Sequence, residues 1–383
     1  MSPSTSSLLA GRLTDRILSV AALLATPLAP DDYLGLIDPL LSARHPAGRI
    51  VAVRPEGPGA ATLVIRPGRG WAGHRAGQYL PVGVELDGVR HWRTYSLTSP
   101  PGGPGTALTI TVKADPRGRV SPRLVHHIQP GTVLRLGPAQ GDFVLPDPPP
   151  RRMLMVSAGS GITPLMGMLR TLVRHLPRQP GCLDVVLLHS APTPQEGLFR
   201  VELRDMAARL PWFRFRERHT RTRASHAGPA EAAPPARRLT VADITGLCPD
   251  WHARETWACG PPGLLAAIEE HWGSAGLTAR LHTERFRLTP PRPPGPGTPG
   301  GHVRFARSGI EAESDPAVPL LVTGEQAGVP MPYGCRRGVC FGCLLPLLHG
   351  RVRDLRTGEV HGEPGSLVQS CVYTAASPLV LDI

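Results

Sequence analysis

The spacing of hydrophobic and polar positions changes several times along the 383-residue chain. Residues 1–45 carry a helix-like apolar stripe (Leu8, Leu9, Leu13, Ile17, Leu18), interrupted by Pro27 and Pro30, with a second short piece at 33–41. This leader is too short for an independent module. It predicts an arm packed on the next unit, with a membrane-surface or partner-docking helix as the other reading. From Gly48 to about Pro146 the pattern becomes short alternating runs at 49–53, 61–65, 78–82, 106–112 and 132–136, separated by Gly/Pro turns, which predicts an antiparallel β-barrel. Strand-like runs at 153–156, 184–188, 213–217 and 255–258 then alternate with helical runs ending at 172 and spanning 199–210 and 264–271, which predicts a parallel α/β sheet. Within it, 223–238 is Ala/Pro-rich and reads as an insertion. Residues 290–300 hold six Pro and three Gly and read as a linker; in a polyproline-type conformation they would span roughly 34 Å. A compact third unit follows. The expected division is a leader at 1–45, a barrel at 46–148, an α/β unit at 149–289, the linker, and a last unit at 301–383.

Composition narrows this picture. With 41 % hydrophobic and 19 % charged residues, a sizeable core is expected and wholesale disorder is not. Aromatics are only 5 %, while 43 Gly and 45 Pro suit turn-rich barrels and stiff linkers. No apolar run approaches the ~18 residues of a membrane span. The N-terminus lacks a basic start followed by an apolar core and a cleavage site, so a cytoplasmic protein is expected. Net charge is +12, from 41 Arg and one Lys (Lys113), a ratio that reflects a GC-rich genome as much as selection. The balance is −1 from His302 onward and +13 before it. A basic body suits an anionic cofactor, an acidic partner protein or peripheral contact with an anionic membrane. There is no lysine-rich run or aromatic-interleaved basic strip, so nucleic acid is not an expected partner.

The cysteines carry the most specific chemistry. Seven is an odd number for a disulfide framework, and four lie in the last 49 residues, which points to a metal site in a reducing compartment. Cys335, Cys340 and Cys343 follow C-x4-C-x2-C, with Cys371 after 27 intervening residues; this is the plant-type [2Fe–2S] spacing. Three thiolates on one glycine-bearing loop can wrap a small cluster, a fourth closes the cage, and Gly334, Gly338 and Gly342 let backbone amides approach the sulfurs. A zinc ribbon would need a second C-x2-C pair, which is absent.

Two further motifs suit nucleotide cofactors. In the barrel, Arg93-Thr-Tyr95-Ser96 combines positive charge for a pyrophosphate, an aromatic to stack on a flavin and a hydroxyl for its reactive edge. Gly118, Val120 and Ser121 stand at an expected helix start, which can present backbone amides. Gly159-Ser160-Gly161-Ile-Thr163-Pro lies between a strand and a helix, a place for a dinucleotide pyrophosphate. Cys259-Gly-Pro-Pro ends a later strand at the carboxyl edge of the sheet, where ligands bind in such folds.

R-x-Y-S, GSGITP, CGP and C-x4-C-x2-C, in that order, resemble the ferredoxin–NADP reductase superfamily with a fused C-terminal plant-type ferredoxin domain, over about residues 46–383. The longer strings HWRTYSLTSP and AGSGITPLMGMLR, with the leader, are most similar to actinobacterial oxidoreductases that serve membrane acyl-CoA desaturases. The resemblance implies a flavin barrel, an NAD(P) α/β domain and a β-grasp ferredoxin domain. It implies FAD held by Arg93, Tyr95 and Ser96, flanked by Val112 and Lys113, with Gly118, Val120 and Ser121 on its phosphates. Gly159, Ser160, Gly161 and Thr163 would hold the nucleotide pyrophosphate. Ser96, Cys259 and Glu284 would be catalytic, with Phe286 near the flavin. Cys335, Cys340, Cys343 and Cys371 would hold the cluster. Two departures stand out: Ala191-Pro192-Thr193 replaces Ala-Arg-Thr, and Thr220-Arg221 replaces the Ser-Arg that reads the 2′-phosphate. NADPH is favoured over NADH because Arg221 and Arg223 remain.

A nicotinamide yields two electrons and a [2Fe–2S] centre takes one, so the implied order is NAD(P)H, FAD, cluster, external acceptor. The expected acceptor is a membrane fatty-acid desaturase, reached from the cytoplasm or the inner membrane face. The alternatives are a Rieske-type ring-hydroxylating oxygenase or a cytochrome P450. The chain has no histidine boxes of its own to make it the desaturase.

Overall fold

A computed structural model describes residues 30–383 except Asp87, Pro104, Arg117 and the segments 176–182, 222–236, 287–299, 334–337 and 339–341. The apolar stripe at 8–18 lies outside the described residues. Helix α1 (Pro30–Ile37) and a 3-10 turn (Pro39–Leu41) lead into the barrel. The Asp31 carboxylate accepts hydrogen bonds from Ser42 Oγ (2.6 Å) and from the amides of Ala43 and Arg44. The Arg69 amide donates to the Leu40 carbonyl, so this part of the leader packs on the turn after the second strand. Leu36 and Ile37 stay 75 % and 79 % exposed.

The barrel comprises β1 (Ala47–Pro55), β2 (Ala60–Pro67), β3 (Tyr79–Leu86), β4 (Val89–Ser96), β5 (Leu108–Lys113), α2 (Val120–His126) and β6 (Val133–Leu136). Its antiparallel order is β4-β3-β6-β1-β2-β5, and a bridge between Leu97 and Ile110 joins the two end strands. Leu63, Ile65, Leu80, Val82, Ile110 and Leu136 fill its interior. Strand β4 is not among the runs read from the sequence. It carries polar residues on both faces, including the buried His91 and Ser96, and pairing with β3 along its whole length makes it a strand.

The second unit comprises β7 (Arg152–Ala158), α3 (Ile162–His175), β8 (Asp184–Ala191), α4 (Arg200–Arg209), β9 (Phe213–His219), α5 (Val241–Leu247), β10 (Glu255–Cys259), α6 (Pro262–Ser274) and β11 (Leu281–Glu284). The strands are parallel in the order β11-β10-β7-β8-β9. Both faces are covered, which explains the continuous apolar runs. Met153, Met155, Val185, Leu187 and Trp257 pack toward α3 and α4, while Leu154, Val156, Val186, Leu188 and Ala258 pack toward α5 and α6. Strand β9, at the edge, alternates Phe with charged residues (Phe213-Arg-Phe-Arg-Glu-Arg-His), a pattern that discourages edge pairing.

Barrel and parallel sheet share one core. Ala60, Ala76, Phe143 and Leu145 of the barrel unit cluster with Met155, Met168, Leu169 and Trp257. Arg170 on α3 donates to the Thr98 carbonyl (2.8 Å) just beyond β4 and is held by Glu202. The Trp257 Nε1–H donates to the Val144 carbonyl.

The third unit comprises β12 (Gly301–Phe305), β13 (Ile310–Ser314), α7 (Leu320–Gln326), β14 (Leu344–His349), β15 (Val352–Asp354), β16 (Val360–His361), β17 (Leu367–Gln369), β18 (Tyr373–Ala375) and β19 (Leu379–Leu381). Its five-stranded sheet runs β13-β12-β19-β14-β17, with β12 and β19 parallel, beside a three-stranded sheet β16-β15-β18. Phe305, Leu321, Leu347 and Leu381 form its core. This is the expected β-grasp arrangement.

At the amino edge of the parallel sheet, Arg254 is 1 % exposed. It pairs with Asp184 and with Asp250 (2.8 Å) and donates to the carbonyls of Met153 and Asp184. The guanidinium beside Asp250 lowers that carboxyl to about 2. Arg254→Ala leaves the buried Met153 carbonyl without this donor, while the Asp184 and Asp250 carboxylates, 40 % and 42 % exposed, can rehydrate. It is expected to cost about 1–3 kcal/mol, read as a lower urea midpoint at neutral pH.

Candidate active site and metal centre

Strand β4 ends at the seam between barrel and parallel sheet, which places Ser96 there. Its Oγ is buried and has no hydrogen-bond partner among the described residues. Arg93 and Tyr95, two positions apart, share the other face of β4. Arg93 Nη1 donates to the Trp92 carbonyl (2.7 Å), and Tyr95 is half-buried against the barrel core. The Val112 side chain lies in that core. Lys113 Nζ lies 3.9 Å from Glu196 Oε1 of the parallel unit, so the pair spans the seam. The loop before α2 folds on itself: the Gly118 amide donates to the Asp115 carbonyl (2.8 Å), and the Asp115 amide to Ser121 Oγ (3.0 Å). Val120 is buried at the start of α2.

Opposite the barrel, Gly159–Gly161 forms a 3-10 turn between β7 and α3. A Cβ at Gly161 would sit 2.1 Å from the Cys259 carbonyl, so this turn and the end of β10 can touch only because the residue is glycine. Thr163 Oγ1 donates to the Ser160 carbonyl (2.9 Å), which closes the turn. At the ends of β8 and β9, the Thr220 and Arg221 amides donate to the Ala191 and Pro192 carbonyls. The two sequence departures are therefore neighbours on the carboxyl edge, with Arg221 exposed beside Pro192. Arg223 lies outside the described residues.

Strand register places five residues on one rung across the sheet. Glu284 pairs with Cys259, Cys259 with Ser157, Ser157 with His189, and His189 with Glu217. Ser157 Oγ and His189 Nδ1 are 2.8 Å apart. Burial holds His189 neutral, with its pKa near 4, and pushes the Cys259 thiol well up, with Glu284 adding to the effect. Burial raises the Glu284 carboxyl to about 8. Its Oε2 has no hydrogen-bond partner among the described residues. Phe286 is half-buried against the cluster that contains Cys259. Sequence reading did not single out Ser157, His189 or Glu217. No motif marks any of the three within its own strand, and only the register brings them together.

In the third unit, Cys335 and Cys340 lie outside the described residues. Cys343 and Cys371 are buried, with Sγ atoms 3.2 Å apart. That separation is far beyond the ~2.05 Å of a disulfide. The Gly338 amide donates to Cys371 Sγ (3.3 Å). Buried thiols that are not bridged to each other, with an amide aimed at sulfur, fit an iron–sulfur centre. The orphaned Ser96 Oγ and Glu284 Oε2 likewise fit a polar cofactor at the seam.

Two family profiles match: an oxidoreductase NAD-binding domain over residues 155–270, and a 2Fe-2S iron-sulfur cluster binding domain over 303–376. An NADPH oxidoreductase of Mycobacterium tuberculosis is 48 % identical over 367 residues, covering 95 % of this chain and 91 % of that protein. A glycine betaine monooxygenase reductase subunit of Chromohalobacter salexigens is 28 % identical, covering 80 % of this chain and 87 % of its own. The solved structure of phthalate dioxygenase reductase has the same fold, at TM-score 0.54 and 22 % identity, covering 88 % of this chain and 97 % of its own.

The raised Glu284 pKa has a stability signature. The folded protein binds a proton there that the unfolded chain releases near the ordinary glutamate value of 4.5, so this contribution is lost as pH rises toward about 8. Glu284→Gln is expected to flatten the decline by roughly 1.4 kcal/mol per pH unit across that window. Urea unfolding of wild type and variant should differ at pH 8.5 and converge near pH 4; parallel curves would refute the burial argument.

Proposed function

The chain belongs to the ferredoxin reductase-type oxidoreductases that carry a C-terminal 2Fe-2S domain, and from that premise we propose that it passes electrons from NADPH to a membrane fatty-acid desaturase. It is an NAD(P)H-dependent oxidoreductase with FAD and a [2Fe–2S] cluster, of the same kind as oxygenase reductase components. The observation that carries the finer reading is the near full-length 48 % identity to an NADPH oxidoreductase, taken with the resemblance of the leader and motif strings to reductases serving desaturases.

FAD supplies the conversion of a hydride into single electrons. Tyr95 and Arg93 would hold it on the barrel, with Ser96 at its reactive edge. The Gly159–Thr163 turn would take the nucleotide pyrophosphate at the start of α3, a 14-residue helix whose N-terminus favours anions. At neutral pH the Glu284 carboxyl and Cys259 thiol stay protonated, so the edge offers hydrogen-bond donors without fixed negative charge. Their burial keeps water from the transferred hydride. Cys335, Cys340, Cys343 and Cys371 would hold the cluster.

Arg221, exposed beside Pro192, would pair with the 2′-phosphate. Arg221→Ala is expected to weaken NADPH binding roughly 10- to 100-fold, about 1.5–3 kcal/mol, and to leave NADH unchanged. Equal losses would remove Arg221 from that role.

No helix among the described residues is long and apolar enough to cross a membrane. Exposed Leu36 and Ile37 support peripheral contact with a membrane surface instead. The test is reconstitution with membranes from a desaturase-containing cell. NADPH oxidation coupled to acyl unsaturation supports the reading, together with low-salt sedimentation on anionic but not neutral vesicles. Coupling only to a soluble Rieske-type oxygenase would replace it with the second reading, which the glycine betaine monooxygenase reductase relative favours.

A further inference from the structure

We propose that the Asp354–Arg356 ion pair, seated against the cluster-binding loop, sets the electron affinity of the [2Fe–2S] centre. Neither residue belongs to the cysteine motif. Strand β15 ends at Asp354, whose register partner on β18 is Tyr373, two residues past Cys371. The Leu355 amide donates to the Val372 carbonyl (2.9 Å), so residues 354–356 are stitched to the segment that carries the fourth thiol. The Asp354 carboxylate accepts from Arg356 Nε (2.9 Å), Nη2 (2.6 Å) and the Arg356 amide (2.7 Å). Its side chain is 8 % exposed, so the pair is fixed in place.

This geometry orients the guanidinium. Nε and Nη2 face the carboxylate, while Nη1 faces the loop: a Cβ at Gly338 would lie 2.8 Å from it. Gly338 is itself clamped, its amide donating to Cys371 Sγ and its carbonyl accepting from Gln369 Nε2 (3.0 Å). The cationic end of the pair therefore abuts the residue whose amide touches a ligand sulfur. Reducing a thiolate-bound cluster adds negative charge, and cluster potentials respond to nearby charge and to hydrogen bonds at sulfur. The guanidinium should favour the reduced cluster, with Asp354 moderating that effect. Loss of either partner should then shift the potential in opposite directions.

The inference rests on Cys343 and Cys371 being cluster ligands, as proposed above. The test is a potentiometric titration of the full-length, cofactor-loaded chain, following the reduced-cluster electron paramagnetic resonance signal and the flavin absorbance together. At a fixed poise near the midpoint, Arg356→Gln is expected to lower the reduced-to-oxidised cluster ratio about 3- to 10-fold, or ~30–60 mV for one electron. Asp354→Asn should raise it, Arg356→Lys should stay near wild type, and the flavin midpoint should not move. Unshifted midpoints, or shifts of the same sign in the Gln and Asn variants, overturn the proposal. So does loss of iron and sulfide from both, which would make the pair only a brace for the hairpin. Absence of any [2Fe–2S] signal in wild type would instead overturn the ligand reading on which the proposal stands.

Discussion

The seam between barrel and parallel sheet is the constraint on which the site depends. A hydride carrier and its acceptor must be held against each other with water excluded, and the proposed site draws on residues of both units. The shared apolar cluster around Met155, Met168, Phe143 and Trp257 supplies the non-directional part of that union. Arg170 supplies direction, because its hydrogen bond to the Thr98 carbonyl fixes the chain just past Ser96. With barrel and sheet locked in this way, the end of β4 and the Gly159–Gly161 turn are the two walls of the site proposed above.

The wall on the sheet side is polar but largely uncharged at its centre. Cys259, Ser157 and His189 lie on one rung, and burial disfavours the charged form of both titratable members. Glu284 closes the rung at one end, with its carboxyl held protonated by the same desolvation. Charge is moved to the periphery. Glu217, at the other end, is paired with Arg200 at 2.9 Å, and the exposed Arg221 stands on the carboxyl edge. A buried edge of this kind can offer hydrogen bonds to a reacting ring without attracting water or counter-ions, while the rim cations can select phosphates.

Stability and chemistry occupy opposite ends of the same sheet. Arg254 with Asp184 and Asp250 locks the amino ends of β8 and β10, and the rung lies at their carboxyl ends. The separation puts the ion-paired guanidinium at one end, while the other end keeps the orphaned Glu284 Oε2. The third unit differs: Cys343 and Cys371 belong to the same buried cluster as Phe305, Leu347 and Leu381.

Much was readable in one dimension because its physics is local. Alternation in 49–65 and 132–136, continuous apolar runs such as 153–156, and the Gly/Pro turns predict strand type and fold class through the period of burial alone. The cysteine spacing and the glycine turn at 159–161 carry their chemistry in contiguous residues. Tertiary structure was needed wherever the determining contact is distant in sequence. Strand β4 exists because β3 pairs with it, and β11, with every residue half-buried, because β10 does. Pro192 and Arg221 meet only through pairing of β8 with β9. The rung from Glu284 to Glu217 draws on five strands, and no periodicity within any one of them reports which residues of the others stand beside it. Register is set by packing of whole faces and by helix crossovers, so the sequence determined the cofactors and the fold class, while the folded sheet decided which side chains share one rung at its carboxyl edge.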